Sequence, residues 1–248
     1  MNEVLMQIKN RKSVRVFEER QVEDEVKNEI LNAALEAPTA GGMMLYSILD
    51  ITDERLKERL SVVCDNQPFI AKAPLVLVFL ADYQRWYDAY CFEGCNPRKP
   101  GEGDILLACA DAIIAAQNTV VAAESLGVGS CYIGDIIENC ETVRDLLDLP
   151  DYVLPAAMVV YGYPAESQRI RKKPVRFEKD YIVFKNKYRR LTKEEHREMH
   201  SIRNKKSGLL ERDASEIIKA NCARKYMSDF SLEMNRSASE YLKKFREK

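Results

Sequence analysis

The chain has 248 residues, with 38 lysines and arginines against 39 acidic residues, a formal net charge of -1 and 46% hydrophobic residues. This composition can fill a hydrophobic core and excludes a disordered chain, and the near-zero net charge argues against a protein that binds nucleic acid or membranes through bulk charge. The longest clean apolar stretch, residues 73–81, is shorter than the roughly 18–20 residues of a membrane span, and no secretory signal is visible, so we expect a soluble cytoplasmic protein.

Hydrophobic periodicity predicts an alternation of helices and strands along the chain. Helices are predicted around residues 4–8 and at 22–37, 53–63, 103–126, 140–147 and from 193 onward. Strands are predicted at residues 45–52, 75–81, 130–133, 156–163 and 181–188. The run LVLVFLA at 75–81 is apolar on both faces, which is typical of a central strand. The helix at 103–126 carries few charges and is predicted to be buried through most of its circumference.

The region from residue 193 onward is charged but carries two apolar stripes. One stripe places Leu210, Ala214 and Ile217 on a shared helix face. The other repeats at intervals of four, four, three and four residues, as Phe230, Met234, Ala238, Tyr241 and Phe245. Such stripes indicate packing against another surface, for which a second copy of the chain is a natural candidate.

The N-terminal segment at residues 10–17 has a basic alternating pattern. Arg11, Ser13 and Arg15 point to the same side if the backbone is extended. Two guanidinium groups and a hydroxyl on one side form a receptor suited to a phosphate, because the planar guanidinium fork pairs with its oxygens. Taken alone, the segment is also explained as a solvated basic turn after a helix.

Three further segments have the composition of ligand-binding loops. They are the small residues at 37–42, the glycine-rich strand at 127–134 and the basic cluster of Arg169, Arg171, Lys172, Lys173 and Arg176. Each is also explained structurally, as a turn, a strand bounded by turns or a solvated loop. The glycine-rich strand does not match the Rossmann dinucleotide fingerprint, because no helix opens within the glycine pattern.

The seven cysteines are odd in number and scattered, which does not suit a disulfide framework. Cys91 and Cys95 form the one close pair, and the only histidines, His196 and His200, stand at a spacing that can hold a metal ion on a helix. Neither pair has a further ligand at metal-site spacing, so exposed surface is the favoured interpretation. The sequence contains no GxSxG, GxxxxGK[ST] or HExxH motif, which disfavours hydrolysis and phosphoryl transfer.

Taken together and in this order, these segments resemble the FMN-dependent nitroreductase family, closest to its NADPH-dependent, oxygen-insensitive nitroreductase and flavin reductase branch. The resemblance is carried by the R-x-S-x-R run at 11–15, APTAG at 37–41, Gln67, the core helix and strand at 111–134, LPDYVLPAAMVVYGYP at 149–164 and FKNKY at 184–188. It implies an α+β fold with a central, mostly antiparallel sheet flanked by helices. It also implies an FMN-binding domain over residues 1–190 and an obligate homodimer, with a helical extension at 191–248 that packs on the partner.

The resemblance also implies a set of residues that bind non-covalent FMN. They are Arg11, Lys12, Ser13, Arg15, Thr39, Ala40, Gly41, Gln67, Tyr132, Ile133, Gly134, Lys173 and Arg176. Arg15 would lie at the flavin N1–O2 edge and Gln67 at the pyrimidine side, while the backbone of 132–134 would run along the ring. Residues 39–41 would line the flavin from the partner subunit or beneath it, and Arg171 is a rival to Lys173 and Arg176 at the phosphate.

Two features depart from the family pattern. Asp135 stands where the family commonly has a second glycine after YIG, and Ile137 stands where its relatives carry an arginine. An acidic Asp135 near the flavin edge would alter the reduction potential or the charge preference for substrates. The insertion CFEGCNPRKPGEGD at 91–104 would cap the substrate pocket.

The function implied is an FMN-dependent NAD(P)H oxidoreductase that reduces nitroaromatic, quinone or flavin acceptors in ping-pong steps. No side chain acts as acid or base, because the flavin N5 carries the chemistry. The alternatives are a flavin reductase that releases free reduced FMN, a flavin-binding redox sensor without turnover, and a metal-binding structural protein built on Cys91, Cys95, His196 and His200.

Overall fold

The computed structural model describes residues 2–208 and 213–247. The chain divides into two compact units. The first contains the described residues up to Arg171 together with those from Glu233 onward, and the second lies within Lys172–Leu232.

A four-stranded antiparallel sheet occupies the centre of the first unit. Its strands are β1 (Tyr46–Asp50), β2 (Leu75–Asp82), β3 (Gly129–Ile133) and β4 (Val153–Gly162). They are ordered β1-β2-β4-β3, and every pair is antiparallel. The prediction of an α+β fold built on an antiparallel sheet is therefore confirmed.

Helices flank this sheet and make up the regular structure of the second unit. They are α1 (Glu3–Asn10), α2 (Asp24–Leu35), α3 (Glu54–Val63), α4 (Gln84–Phe92), α5 (Glu102–Ser125), α6 (Cys140–Leu147), α7 (Glu166–Arg169), α8 (Lys193–Lys206), α9 (Ala214–Asn221) and α10 (Asp229–Arg246). Asp53 begins α3 by accepting the backbone N–H of Leu56 at 2.8 Å, and Asn2 begins α1 in the same way. Most predicted elements are confirmed, with ends shifted by a few residues.

The strand β2 divides the core between the two faces of the sheet. Leu75, Leu77 and Phe79 face one layer, which contains α2 and α5, whereas the intervening Val76 and Val78 face the layer that contains α3 and α6. The alternation follows from the period of two in a strand. All of β2 is buried, as its sequence predicts.

A third cluster of buried side chains forms where the chain end returns to the first unit. Tyr241 and Phe245 of α10 are buried with Leu45, Ala81 and Ile105. The apolar stripe of the last helix is thus used in part within the same chain. Leu210, from the other predicted stripe, lies outside the described residues.

Three expectations about secondary structure need correction. The predicted strand at 181–188 is wrong, because Lys179–Tyr181 forms a 3-10 turn and Asn186 adopts a left-handed φ of 67°. The insertion at 91–104 is preceded by an unpredicted helix, α4, whose aromatic residues have modest helix propensity.

The third correction concerns α5, which is not buried around its circumference. Four large apolar side chains expose between 39% and 69% of their surface, namely Leu106, Leu107, Ile113 and Ile114. Nothing in residues 2–208 and 213–247 covers these side chains fully. By length and composition, α5 is the one helix in the described residues that could cross a membrane, and 44% of its most apolar window is buried within the fold.

Candidate functional site

The N-terminal extended segment is seated on the sheet by two glycines. Gly129 on β3 faces Gly162 on β4 in the strand register. A Cβ on Gly129 would lie 2.6 Å from Cγ2 of Val14, and one on Gly162 would lie 2.7 Å from Cδ1 of Phe17. Because neither strand has a side chain at this point, the segment packs directly on the backbone of the sheet.

This contact determines the direction in which the side chains of Arg11 and Arg15 point. Ser13 forms a parallel bridge with Ser130, and the N–H of Val14 donates to the carbonyl of Ser130 at 2.9 Å. The backbone is extended here, so Arg11 and Arg15 project on the same side as Ser13. The Arg15 guanidinium lies 5.9 Å from the ring centroid of Phe69 and is otherwise exposed.

Three arginines act on the same buried thiol of β3. Burial raises the pKa of Cys131, while Arg15, Arg11 and Arg171 oppose the rise through their positive charge. The hydroxyl of Ser13 bonds to the same thiol and also lowers its pKa. Three guanidinium charges and the Ser13 hydroxyl thus all act on one residue of β3, and such a concentration of cations and donors is suited to an anion.

A loop that follows β4 closes this site from the other side. The Lys12 ammonium donates to the carbonyls of Arg169 and Arg171 at 2.7 and 2.6 Å, so two of its three protons are used within the protein. Arg171 donates from Nη2 to the carbonyl of Ser13, while its buried Nε finds no hydrogen-bond partner in the described part of the chain. An unpaired buried guanidinium N–H is costly unless a ligand accepts it.

Gln67 is hydrogen-bonded to Asp135, an acidic residue that follows β3. Its Nε2 donates to the carbonyl of Cys64 at 2.8 Å and to Oδ2 of Asp135 at 2.9 Å. Asp135 directly follows Gly134, where an added Cβ would meet no atom within 4 Å. The space beside Gly134 is therefore open, and Gln67 is tied to the residue that follows it. Burial raises the pKa of Tyr132 to about 12.

The small-residue loop at 39–44 is held by one buried carboxylate. Asp111 on α5 accepts hydrogen bonds from the Thr39 hydroxyl, from the N–H of Ala40 at 3.1 Å and from the N–H of Leu45 at 3.1 Å. Gly41 adopts a positive φ of 55°, which a glycine tolerates without strain. The contacts of this loop are with α5 and α4 and not with the R-x-S-x-R segment.

The remaining predicted phosphate ligands fall in the second unit. Arg176 is exposed and donates to the carbonyl of Pro174 at 3.0 Å, and Lys173 is half-buried. Their role toward a ligand held by the first unit stays a prediction. The rival Arg171 belongs to the first unit, beside Ser13.

Sequence reasoning missed three residues that build the site. The sequence places Asp111 within an apolar helix. A single carboxylate among alanines does indicate a buried acceptor that binds hydrogen-bond donors of another segment. The sequence indicates Gly129 as a residue that ends the core helix and Gly162 as part of a strand, and only the folded register shows that they face each other.

The alternative sites are not assembled. Cys91 and Cys95 are exposed thiols at the end of α4 and in the turn after it. Within residues 2–208 and 213–247, no group of three or more His, Cys, Asp or Glu side chains is placed to hold a metal ion.

Comparisons with known proteins match both the sequence and the fold. The model of the nitroreductase family matches residues 8–163. An NADPH-dependent oxidoreductase of Staphylococcus aureus is 32% identical over 183 residues, which cover 73% of this chain and 72% of that protein. The structure of NfrA2 from B. megaterium is 29% identical, with a TM-score of 0.83 and 100% of both chains covered.

A third match shows the fold alone, because its sequence identity is low. It is an NADPH:FMN oxidoreductase from Vibrio harveyi, solved in complex with NAD+, which is 23% identical with a TM-score of 0.79 over 97% of this chain and 98% of that one. The family model covers well over half of this chain, and the curated relative passes 30% identity over most of its length. The chain therefore belongs to the nitroreductase family.

Proposed function

We propose that this protein is an FMN-dependent NAD(P)H oxidoreductase that transfers two electrons to nitroaromatic, quinone or flavin acceptors. The observation that carries the proposal is that Ser13 is bridged to β3 and bonded by Arg171, while the charges of Arg11, Arg15 and Arg171 all act on Cys131 of the same strand. A cationic pocket at one end and an uncharged backbone wall at the other suit a flat ring that carries a phosphate. The NADPH-dependent relative supports the same assignment.

The residues present fit the phosphate of FMN. This group carries close to two negative charges, so it needs several cations and donors. Arg11 and Ser13 provide charge and a hydroxyl, and the unpaired Nε of Arg171 provides a buried donor. Lys12 has one ammonium proton left after its two carbonyl bonds. We assign Lys173 and Arg176 as further phosphate ligands on the family resemblance.

The residues near the open space beside Gly134 fit the ring. The backbone of Tyr132, Ile133 and Gly134 would lie along the isoalloxazine, and Gln67 would bond its pyrimidine side. The exposed guanidinium of Arg15 would lie at the N1–O2 edge, where negative charge develops on reduction, and would favour the reduced form. FMN, when held by these residues, would supply the two-electron chemistry between NAD(P)H and the acceptor.

The active form is proposed to be a homodimer. α5 exposes four large apolar side chains, and α1 exposes Val4, Leu5, Met6 and Ile8. Contiguous exposed apolar side chains of this kind mark association surfaces. In the dimer, Thr39, Ala40 and Gly41 would reach the flavin bound by the other subunit, with the loop held in place by Asp111. We infer that the dimer works in the cytoplasm on small molecules, without nucleic acid or membrane.

The proposal is tested by titrating flavin-free protein with FMN and following the quenching of flavin fluorescence. Arg15→Ala is expected to weaken FMN binding by about tenfold, the equivalent of one strong charged contact. Arg55→Ala, an exposed arginine on α3, is the matched control and should bind FMN as the wild type does. A wild-type protein that takes up no FMN overturns the proposal.

The rival functions are separated by turnover. NAD(P)H oxidation is measured with a nitroaromatic, a quinone or free FMN as acceptor. A large excess of rate with free FMN identifies a flavin reductase, and bound flavin that NAD(P)H never reduces identifies a redox sensor without turnover.

A further inference from the structure

A buried acidic side chain lies three residues after Asp135, the hydrogen-bond partner of Gln67. Glu138 follows the 3-10 turn Asp135–Ile137 and is only 3% exposed. Its Oε1 has no hydrogen-bond partner among the residues that the structure describes. A buried carboxylate with no counter-charge is unstable unless it holds a proton.

The charged groups that act most strongly on Glu138 are all acidic. They are Asp135 from the turn itself, Asp65 from the end of the α3 segment and Glu233 from α10. Glu233 is already engaged by Arg236 at 2.8 Å, so this arginine neutralises Glu233 and not Glu138. Burial raises the pKa of Glu138 to about 7, with the negative charges of Asp135, Asp65 and Glu233 and a hydrogen bond with Asp135 adding to the rise.

Asp135 also determines which way the Gln67 amide points. Both protons of Nε2 are used, one on the carbonyl of Cys64 and one on Oδ2 of Asp135. If the amide were flipped, Oε1 would face the carbonyl of Cys64 and Oδ2 of Asp135, which are both acceptors, and no hydrogen bond could form. Oε1 is therefore the free end of the side chain, and it can only accept a hydrogen bond.

We propose that Asp135 is a positioning residue that keeps Gln67 with Oε1 presented to the imide N3–H of bound FMN, and that Glu138, buried and protonated, holds Asp135 in place. The inference rests on the proposed function, since the flavin supplies the N–H. With one proton in the pair, Glu138 donates to Asp135 and Asp135 accepts from Gln67. When the proton is lost, two adjacent carboxylates repel each other, Asp135 is displaced, and the orientation of Gln67 is no longer fixed.

The test compares FMN with 3-methyl-FMN, which lacks the imide N–H, by fluorescence titration of the flavin-free protein. Wild type should prefer FMN, and Asp135→Ala should weaken FMN binding about fivefold to tenfold while leaving 3-methyl-FMN nearly unchanged. Asp135→Asn keeps an acceptor for Gln67 and should retain most of the preference. Asp145→Ala, an exposed aspartate on α6, is the matched control.

The shared proton is tested by repeating both titrations between pH 6 and 9. The preference of the wild type for FMN should fall as the pH rises through about 7. Glu138→Gln keeps a donor to Asp135 but cannot ionise, so its preference should not change with pH. An unchanged preference in Asp135→Ala, or the same pH dependence in Glu138→Gln and wild type, overturns the inference. Failure of the wild type to bind either flavin instead overturns the proposed function, and this inference with it.

Discussion

Replacement of Gly129 by alanine tests how the R-x-S-x-R segment is seated on the sheet. The added Cβ would lie 2.6 Å from Cγ2 and 2.9 Å from Cβ of Val14, well inside van der Waals contact at about 3.5–4.0 Å. Val14 is buried and β-branched, so its side chain has few rotamers in which to escape. The segment itself must therefore lift from β3.

The expected cost follows from this geometry. Overpacking of a filled site destabilises by about 1–3 kcal/mol. Gly103→Ala is the matched control, because a Cβ there meets no atom within 4 Å and the residue lies in the first turn of α5. This control should leave stability unchanged or raise it by up to about 1 kcal/mol, since alanine is the better helix former.

Urea unfolding at a fixed protein concentration measures both variants, and an FMN titration shows whether the displaced segment binds the cofactor less well. Val14→Ala combined with Gly129→Ala gives the sharper test, because the smaller side chain removes the clash. The cost of Gly129→Ala should then fall by at least about 1 kcal/mol in the Val14→Ala background. Strictly additive effects, or a Gly129→Ala protein as stable as the wild type, would refute the close approach.

Three further variants test the interior and the proposed interface. Asp111→Asn should lower the free energy of unfolding by about 2–4 kcal/mol, because the amide cannot accept all the hydrogen bonds of residues 39–45. The control Asp145→Asn, at an exposed position, should change it by less than about 0.5 kcal/mol. Equal losses in the two variants would contradict the anchoring role of Asp111. A carboxyl whose pKa rises from 4.5 to about 7 on folding holds its proton more tightly in the folded state, so stability is lost as the pH rises between those values. In the wild type this loss is on the order of 2–3 kcal/mol between pH 4 and 8, and Glu138→Gln should abolish it. The free energy of unfolding is measured with urea at each pH. The same pH dependence in both proteins would contradict the assignment to Glu138. Leu106→Glu should shift the protein from dimer to monomer in size-exclusion chromatography with an unchanged circular dichroism spectrum, and an unaltered dimer would place the interface elsewhere.

The parts of the fold that could be predicted are those in which local pattern and tertiary environment agree. The all-apolar run of β2 has one stable placement, at the centre of a sheet covered on both faces, and it lies there. The R-x-S-x-R alternation places its three side chains on one side only if the backbone is extended. The structure supplies that condition through the bridge between Ser13 and Ser130.

The parts that could not be predicted depend on what lies across the fold. The aromatic residues at 181–188 have strand propensity, but Phe184 packs on Tyr188 with ring centroids 5.9 Å apart, so the segment turns back on itself. An apolar helix face has the same composition whether the chain itself buries it or leaves it exposed. The sequence therefore predicts more burial for α5 than the structure shows. The orientation of Gln67 likewise depends on Asp135, 68 positions away along the chain.

The central claim is that the family fold here binds FMN and accepts electrons from a nicotinamide donor. The most direct measurement is the visible absorbance of the FMN-loaded protein, mixed anaerobically with NADPH and, separately, with NADH. The account predicts oxidised-flavin bands that bleach within the turnover time, and the faster donor defines the cofactor preference. A protein that remains colourless after incubation with FMN, or whose flavin bands persist with both donors, would contradict the account.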